Sequence, residues 1–423
     1  MNGIIDKIER LESFNLRNSV GRKALSSLTF ITDIDALNEE YDWISKVGNV
    51  VNDVMEHALC EIQDIEGTIH RLANGEVLDD VQLYEIKHLA IVAAQVRNSG
   101  ADWLENLSEV VTILDPNEEG IDTFYIYDSY DEQLAEMRRV WKEPTAEQFA
   151  AMSEVEDRVR KRLSRELKIW STRLHDTLTE LGLLDLRIAK WQMAEAENLT
   201  RPHFSADSST TYRGLFNIET RNALKSKGKN YQAVDVKFGN YPTIVTGMNM
   251  GGKTVLLKSL VAAQELCQYG FFVPADEAEV MIVDEVLVSI DDSQNHLSGL
   301  SSFAAEMLTV DSIIKTTERG RKVLVLIDEL ARTTNPVEGR IIVSKVVERL
   351  KRNGVPSFVT THYDGIHGDY RRLRVKGLKE NSKIADISEM ESIIDYSLVE
   401  TTEEEVPREA LRVAEMLGIK LFL

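Results

Sequence analysis

One stretch of the chain carries residue types at a spacing suited to gripping phosphate. In Thr243-Ile-Val-Thr-Gly-Met-Asn-Met-Gly-Gly-Lys-Thr254 a short apolar strand runs into a glycine-rich turn and then into a helix, and Gly247, Gly252, Lys253 and Thr254 fill the fixed positions of G-x-x-x-x-G-K-[ST]. In that pattern successive backbone N–H groups surround the phosphates of a nucleotide, because glycine lets the chain approach without a Cβ clash. Lys253 is expected to reach the β- and γ-phosphates and Thr254 to place its hydroxyl on Mg²⁺. The expected nucleotide contacts are Gly247, Asn249, Gly251, Gly252, Lys253, Thr254 and Val255. A second group of candidates lies downstream, where the apolar strand Val323-Leu-Val-Leu-Ile327 ends in Asp328-Glu329. A carboxylate closing such a strand is costly unless a cation sits beside it, and Mg²⁺ held jointly by Thr254 and Asp328 meets that need. Glu329 is then placed to orient or deprotonate the water that attacks the γ-phosphate. His362 follows the apolar strand Ser357-Phe-Val-Thr-Thr361 and is expected at the same sheet edge, hydrogen-bonded to the γ-phosphate. Together these residues point to nucleoside triphosphate hydrolysis.

The elements that must position them read as an alternating α/β domain of the phosphate-loop type over residues 201–423. Its expected strands are Gly214–Ile218, Ala233–Phe238, the run before the glycine turn, Glu279–Val283, Glu285–Ile290, Val323–Ile327 and Ser357–Thr361. Helices are expected at Val255–Leu266, which is apolar on most of its circumference, at Ser302–Thr317, at Gly339–Asn353 and at Arg408–Leu417. Upstream, residues 1–95 read as a helical core, with apolar residues at helix spacing in Ile31–Val47, Val51–Leu59, Leu59–Leu72 and Val81–Val96, and with Asp33 or Asp35 as an N-cap. Residues 96–200 read as a helical lever arm. Within it Phe124–Tyr127 is expected to be briefly extended, a helix spans Tyr130–Val140, and a long helix runs from Thr145 to Asn198 with an interruption near Gly182. Such length without a local core implies an arm or a coiled-coil-like pair. Its basic run Arg158, Arg160, Lys161, Arg162, Arg165 and Lys168 is interleaved with Glu154, Glu156, Asp157 and Glu166, so it is either an ion-paired solvated face or a contact for backbone phosphates.

Composition narrows the classes. At 423 residues the chain is long enough for roughly two to three domains. A formal net charge of −21 sets tight binding to a phosphate backbone at a disadvantage unless positive charge is gathered on one face. The N-terminus lacks the apolar core of a signal peptide and no segment is apolar enough to span a bilayer, which leads to the expectation of a cytoplasmic protein without membrane contact. Cys60 and Cys267 lack metal-ligand spacing and are expected to be buried free thiols.

Several motifs in order resemble the MutS family, dimeric ATPases of DNA mismatch repair and related processes with an ABC-type ATPase domain. Thr246-Gly-Met-Asn-Met-Gly-Gly-Lys-Thr254 is similar to that family's T-G-P-N-M-G-G-K-S, with Met248 in place of proline, and Phe272-Val-Pro-Ala275 to its F-V-P-A. Asp291 to Met307 resembles the signature region D-D-L…G-x-S-T-F-x-x-E-M, Asp328 to Gly339 resembles D-E-L-G-R-G-T-S-T-x-x-G, and Thr360-Thr-His-Tyr363 resembles A-T-H-Y. Upstream, Ser19–Leu25, Asp64–Leu72, Asp128–Leu134 and Leu184–Ala189 are more weakly similar to its core and lever segments. The resemblance implies ATP with Mg²⁺ as the ligand, two subunits sandwiching two nucleotides, and Ser301 or Ser302 of one subunit contacting the γ-phosphate held by the other. It implies a partner that is a second copy or a MutS-like paralogue. Departures from the pattern imply a short form: nothing corresponding to the mismatch-reading and connector domains precedes the core, only a turn fits between Val140 and Glu154 where the clamp would be, and the sequence ends soon after Ile419. Two functions are implied. One is a DNA-associated ATPase whose recognition is supplied elsewhere; the other is an ATP-driven remodeller of a protein client, such as a cobalamin-dependent aminomutase.

Overall fold

The computed structural model describes residues 3–247, 251–290, 302–379 and 393–402. The chain divides into two units, Met1–Leu28 with Asp42–Met193, and Thr29–Tyr41 with Ala194–Leu423. Among the described residues no helix is long and apolar enough to cross a membrane.

The first unit is built from helices whose starts are written in their caps. They are α1 (Gly3–Ile8), α2 (Ser19–Ser26), α3 (Ile34–Val50, its first turns in the second unit), α4 (Asp53–Cys60), α5 (Glu66–Ala73), α6 (Asp80–Asn98), α7 (Ser108–Leu114), α8 (Glu132–Val140), α9 (Ala146–Leu167) and α10 (Ser171–Glu197). Asp33 accepts the Ala36 N–H at 2.9 Å and so is the cap of α3, while Asp79 with Gln82 and Thr145 with Gln148 form reciprocal capping boxes at α6 and α9. The helix expected over Leu59–Leu72 starts only at Glu66, as α5, after a turn that follows the end of α4 at Cys60. Apolar spacing carries on through Ile62 and Ile65, which are buried in the intervening turn, so periodicity alone does not reveal the break.

Phe124–Tyr127, expected to be briefly extended, is extended at Tyr127 but joins no sheet, and its rings cluster, with Tyr125 and Tyr127 centroids 4.1 Å apart. Two other expectations are corrected. The long helix breaks at a 3-10 turn, Lys168–Trp170, and not near Gly182. Gly182 stays helical because it lets α10 lie on α2: a Cβ there would come within 2.7 Å of Val20 Cγ1. Nor are α9 and α10 without a local core, since Val155, Val159, Leu163, Leu167, Leu174, Leu178 and Leu181 pack into one apolar cluster with residues of α4 to α7.

The second unit carries two mixed sheets. In chain order its elements are β1 (His203–Phe204), β2 (Thr210–Leu215), α11 (Ile218–Ser226), β3 (Val234–Phe238), β4 (Pro242–Thr246), α12 (Lys253–Gln268), β5 (Glu277–Val280), β6 (Glu285–Ser289), α13 (Ser302–Thr317), β7 (Val323–Ile327), α14 (Pro336–Arg352), β8 (Ser357–Thr360), β9 (Arg371–Leu378) and β10 (Ile394–Glu400). The larger sheet has the order β10-β9-β4-β8-β7-β6, parallel except for β10, and the smaller has the order β1-β5-β2-β3. The strand expected at Gly214–Ile218 lies earlier: β2 ends at Leu215 and Asn217 caps α11. Sequence reading missed β1, β9 and β10.

Residues 29–41 are joined to this unit through the far end of α12. The Ile31 N–H donates to the Gln268 carbonyl (2.7 Å) and the Gln268 side-chain amide donates back to the Ile31 carbonyl (2.9 Å). Fully buried Tyr41 donates its hydroxyl to the Cys267 carbonyl at 2.7 Å and stacks near Phe204. The expectation of two buried thiols holds for Cys267, whose pKa burial pushes up to about 12, and fails for Cys60, which is exposed.

Candidate functional site

The parallel strands β4, β8 and β7 are neighbours in register, so their C-terminal ends bring three separate loops to one edge of the sheet. β4 is buried over most of its length and delivers Gly247, at φ 141°, into the glycine turn. Gly252, at φ 79°, turns the chain into α12, a conformation a side chain would resist. Lys253 and Thr254 therefore occupy the first turn of a helix whose N-terminus opens on the sheet edge, where partial positive charge favours an anion.

Five of the residues expected from sequence come together here: Gly247, Lys253, Thr254, Asp328 and Glu329. The Thr254 hydroxyl donates to Asp328 Oδ2 at 2.6 Å, across 74 residues of sequence. Lys253 is 4% exposed and its ammonium donates to the Gly247 carbonyl at 2.9 Å. Burial pulls its pKa below the ordinary lysine range, while the nearby Glu329 and Asp328 carboxylates pull in the other direction. Asp328 accepts a second hydroxyl, that of fully buried Thr360, at 2.5 Å, and the same Thr360 oxygen accepts the Glu329 N–H at 2.7 Å. Glu329 Oε2 in turn accepts from Arg332 Nη1 at 3.0 Å.

The pair of hard oxygens at Thr254 and Asp328 is the donor chemistry that Mg²⁺ takes, usually from one or two protein groups with water and phosphate completing the shell. His362 lies two residues beyond the end of β8, between the loops of its two neighbours, with its ring 4.2 Å from that of Tyr363. No hydrogen bond from His362 to Lys253, Asp328 or Glu329 is seen among the described residues. Gly251, Gly252 and Val255 line a cavity of about 720 Å³ together with Tyr231 and Tyr396 among others. Tyr396 belongs to β10, where a register shift between Asp395 and Leu398 falls at this residue, and its ring approaches within 3.0 Å of where a Gly252 Cβ would stand. Gln232 fixes that strand, donating to Asp395 (2.9 Å) and Ser397 (3.0 Å) and accepting the Tyr396 N–H (3.2 Å). Hydrogen bonds from Ser397 and Gln232 hold the Asp395 carboxyl well below its usual range.

Asn249 and Ser301 lie outside the described residues, as do Asp291 to Leu300 of the signature stretch and the expected helix Arg408–Leu417; Ser302 is the first residue of α13. Thr360, Arg332, Glu306, Tyr363 and Tyr396 are site residues to which sequence reading assigned no role. The first four were in plain view within quoted motifs. The signal for Thr360 was a hydroxyl at the end of a buried strand that must neighbour the one bearing Asp328.

Comparison with known proteins agrees with this geometry. The family model described as MutS domain V matches residues 243–419. Endonuclease MutS2 of Ligilactobacillus salivarius (strain UCC118) is 31% identical over 223 residues, 51% of this chain and 27% of that protein. Endonuclease MutS2 of Lacticaseibacillus casei (strain BL23) is 33% identical over 222 residues with the same shares. Endonuclease MutS2 of Thermus thermophilus is 37% identical over 186 residues, 44% of this chain and 24% of that protein. The matched stretch spans about a quarter of the length of these relatives. Every described residue at this sheet edge, from Gly247 to His362, falls within residues 243–419, the stretch that matches MutS domain V and is similar to these MutS2 proteins.

Proposed function

We propose that the chain is a MutS-type ATPase that binds ATP with Mg²⁺ at the end of β4 and hydrolyses it to ADP and phosphate. The observation that carries the reading is the meeting of Thr254 and Asp328 at 2.6 Å beside a buried, anion-seeking Lys253. A buried ammonium whose basicity burial lowers carries a desolvation cost, which a polyanionic ligand beside it would offset. The cavity of about 720 Å³ has the size of a small-molecule site, and Tyr231 and Tyr396 offer apolar rings for the base while Gly251, Gly252 and Val255 face the phosphate end. Thr254 and Asp328 would hold the metal, which when bound neutralises charge on the β- and γ-phosphate oxygens. Glu329 receives a proton from, or orients, the water whose oxygen bonds the γ-phosphorus as the bond to the bridging oxygen breaks; His362 donates a hydrogen bond to the γ-phosphate.

Family resemblance supports a dimer in which Ser301 or Ser302 reaches the partner's nucleotide, with ATP closing the pair and moving α9 and α10. The name of the relatives, Endonuclease MutS2, favours DNA as the partner over a protein client. α9 supports this in part. Lys161 and Arg165 are exposed on one helix face without an ion pair among the described residues, whereas Arg160 is engaged by Asp80 and Asp157.

The test is Glu329→Gln. ATP binding should persist while turnover falls by about a hundredfold or more. Hydrolysis equal to that of the unaltered chain would assign the water to another group and defeat the assignment.

A further inference from the structure

The turn after β7 holds two residues other than glycine in the left-handed region, Glu329 at φ 44° and Ala331 at φ 62°. Such backbone persists only where its neighbours over-determine it. Ala331 is gripped on both sides of its residue. Its N–H donates to Glu306 Oε1 on α13 at 2.8 Å, and its carbonyl accepts from the Tyr363 hydroxyl at 2.6 Å. Tyr363 is itself immobilised: its ring lies so close to Gly339 of α14 that a Cβ there would come within 2.4 Å of the phenolic oxygen. Thr360 and Tyr363 both belong to the β8 side of the site. Glu306 belongs to a different helix, and it supplies a carboxylate, an acceptor roughly twice as strong as a neutral one, to the Ala331 amide. The next residue, Arg332, carries the guanidinium that binds Glu329 Oε2 at 3.0 Å. Fixing the peptide at Ala331 therefore fixes where the Arg332 side chain begins, and with it the direction of the Glu329 carboxylate.

We propose that Glu306 is a positioning residue for Glu329, tying the catalytic turn to α13 so that the orientation of the water-facing carboxylate depends on where that helix stands. The inference rests on the reading of Glu329 as the group that handles the attacking water. The two fail separately: a wild-type protein that turns over no ATP overturns both, whereas wild-type turnover matched by a Glu306→Ala variant overturns only this one.

The experiment compares steady-state ATP hydrolysis, ATP binding and thermal unfolding for the full chain and for Glu306→Ala, Glu306→Gln and Glu306→Ala with Ala331→Gly. Glu306→Ala should lower kcat by about tenfold or more while KM and ATP affinity stay within about twofold, because the missing interaction acts on the reacting geometry and not on ground-state binding. Glu306→Gln keeps an oxygen at the same reach and should retain kcat within about threefold. Adding Ala331→Gly should restore much of the loss, since glycine holds the left-handed turn without outside help. If Glu306→Ala does not fold, Glu306→Asp, whose shorter side chain cannot reach the amide, carries the same expectation. Unchanged kcat in Glu306→Ala, a loss confined to KM, or a Glu306→Gln variant as impaired as Glu306→Ala would each overturn the proposal.

Discussion

Lys253 takes a positive charge to a place that water scarcely reaches, and its energetics follow from that. Burial lowers its pKa relative to the unfolded chain, where the value is near 10.5, so the folded protein holds this proton less tightly than the unfolded one. The resulting penalty on stability is fully present below the depressed folded value and vanishes as pH rises through the window up to the unfolded value. Lys253→Met should therefore stabilise the ligand-free protein at pH 7 by about 1 kcal/mol and abolish measurable ATP binding, and its stability advantage should shrink as the pH of the urea titration approaches that of the free lysine. An advantage that grows with pH would contradict the assignment of burial as the cause. Lys253, Thr254 and Asp328 were legible in sequence because each sits at a fixed offset from a strand end. Glu306 and Thr360 were not, because their roles come from backbone amides and a carboxylate supplied by loops 25 and 32 residues away.

At the scale of elements, caps and periodicity located most helices, and apolar runs located the buried strands β4, β7 and β8. The failures have physical causes. β9 reads Arg-Arg-Leu-Arg-Val-Lys-Gly-Leu and hides its strand character under arginines that find carbonyl and carboxylate partners only after folding, as Arg371 does with Glu400. In sequence Gly182 reads as a helix interruption, whereas in the folded chain its missing Cβ is what admits Val20 of α2. Gly182→Ala tests this directly. Helix propensity alone would make alanine stabilising by about 1 kcal/mol, but the new Cβ would meet Val20 Cγ1 at 2.7 Å and its carbonyl oxygen at 3.0 Å. Net destabilisation of roughly 1–3 kcal/mol, read from chemical denaturation, is expected. A stabilised variant would show that the two helices are free to separate.

At the scale of the whole molecule, a charge of −21 means that any nucleic acid must be met by a local concentration of cations. If α9 supplies it, DNA affinity should fall linearly on a log–log plot against salt. Replacing Lys161 and Arg165 together by Ala should make the slope shallower by about 2, roughly 0.9 for each phosphate no longer neutralised. A slope unaltered by the double change would move the DNA contact elsewhere on the surface. Replacing Arg160 is a poorer probe, since Asp80 and Asp157 already occupy it.

The pairing of Ile31 with Gln268, and of Tyr41 with Cys267, has a practical corollary for anyone cutting this protein into pieces. The unit that carries the glycine turn is not a contiguous run of sequence. A fragment starting near Ala194 would leave behind the strip of chain that shields Phe204 and the last turn of α12, baring an amide pair and an aromatic socket to water. Proteolytic dissection or subcloning that respects only linear order would thus separate a lock from a key that lies far upstream in sequence.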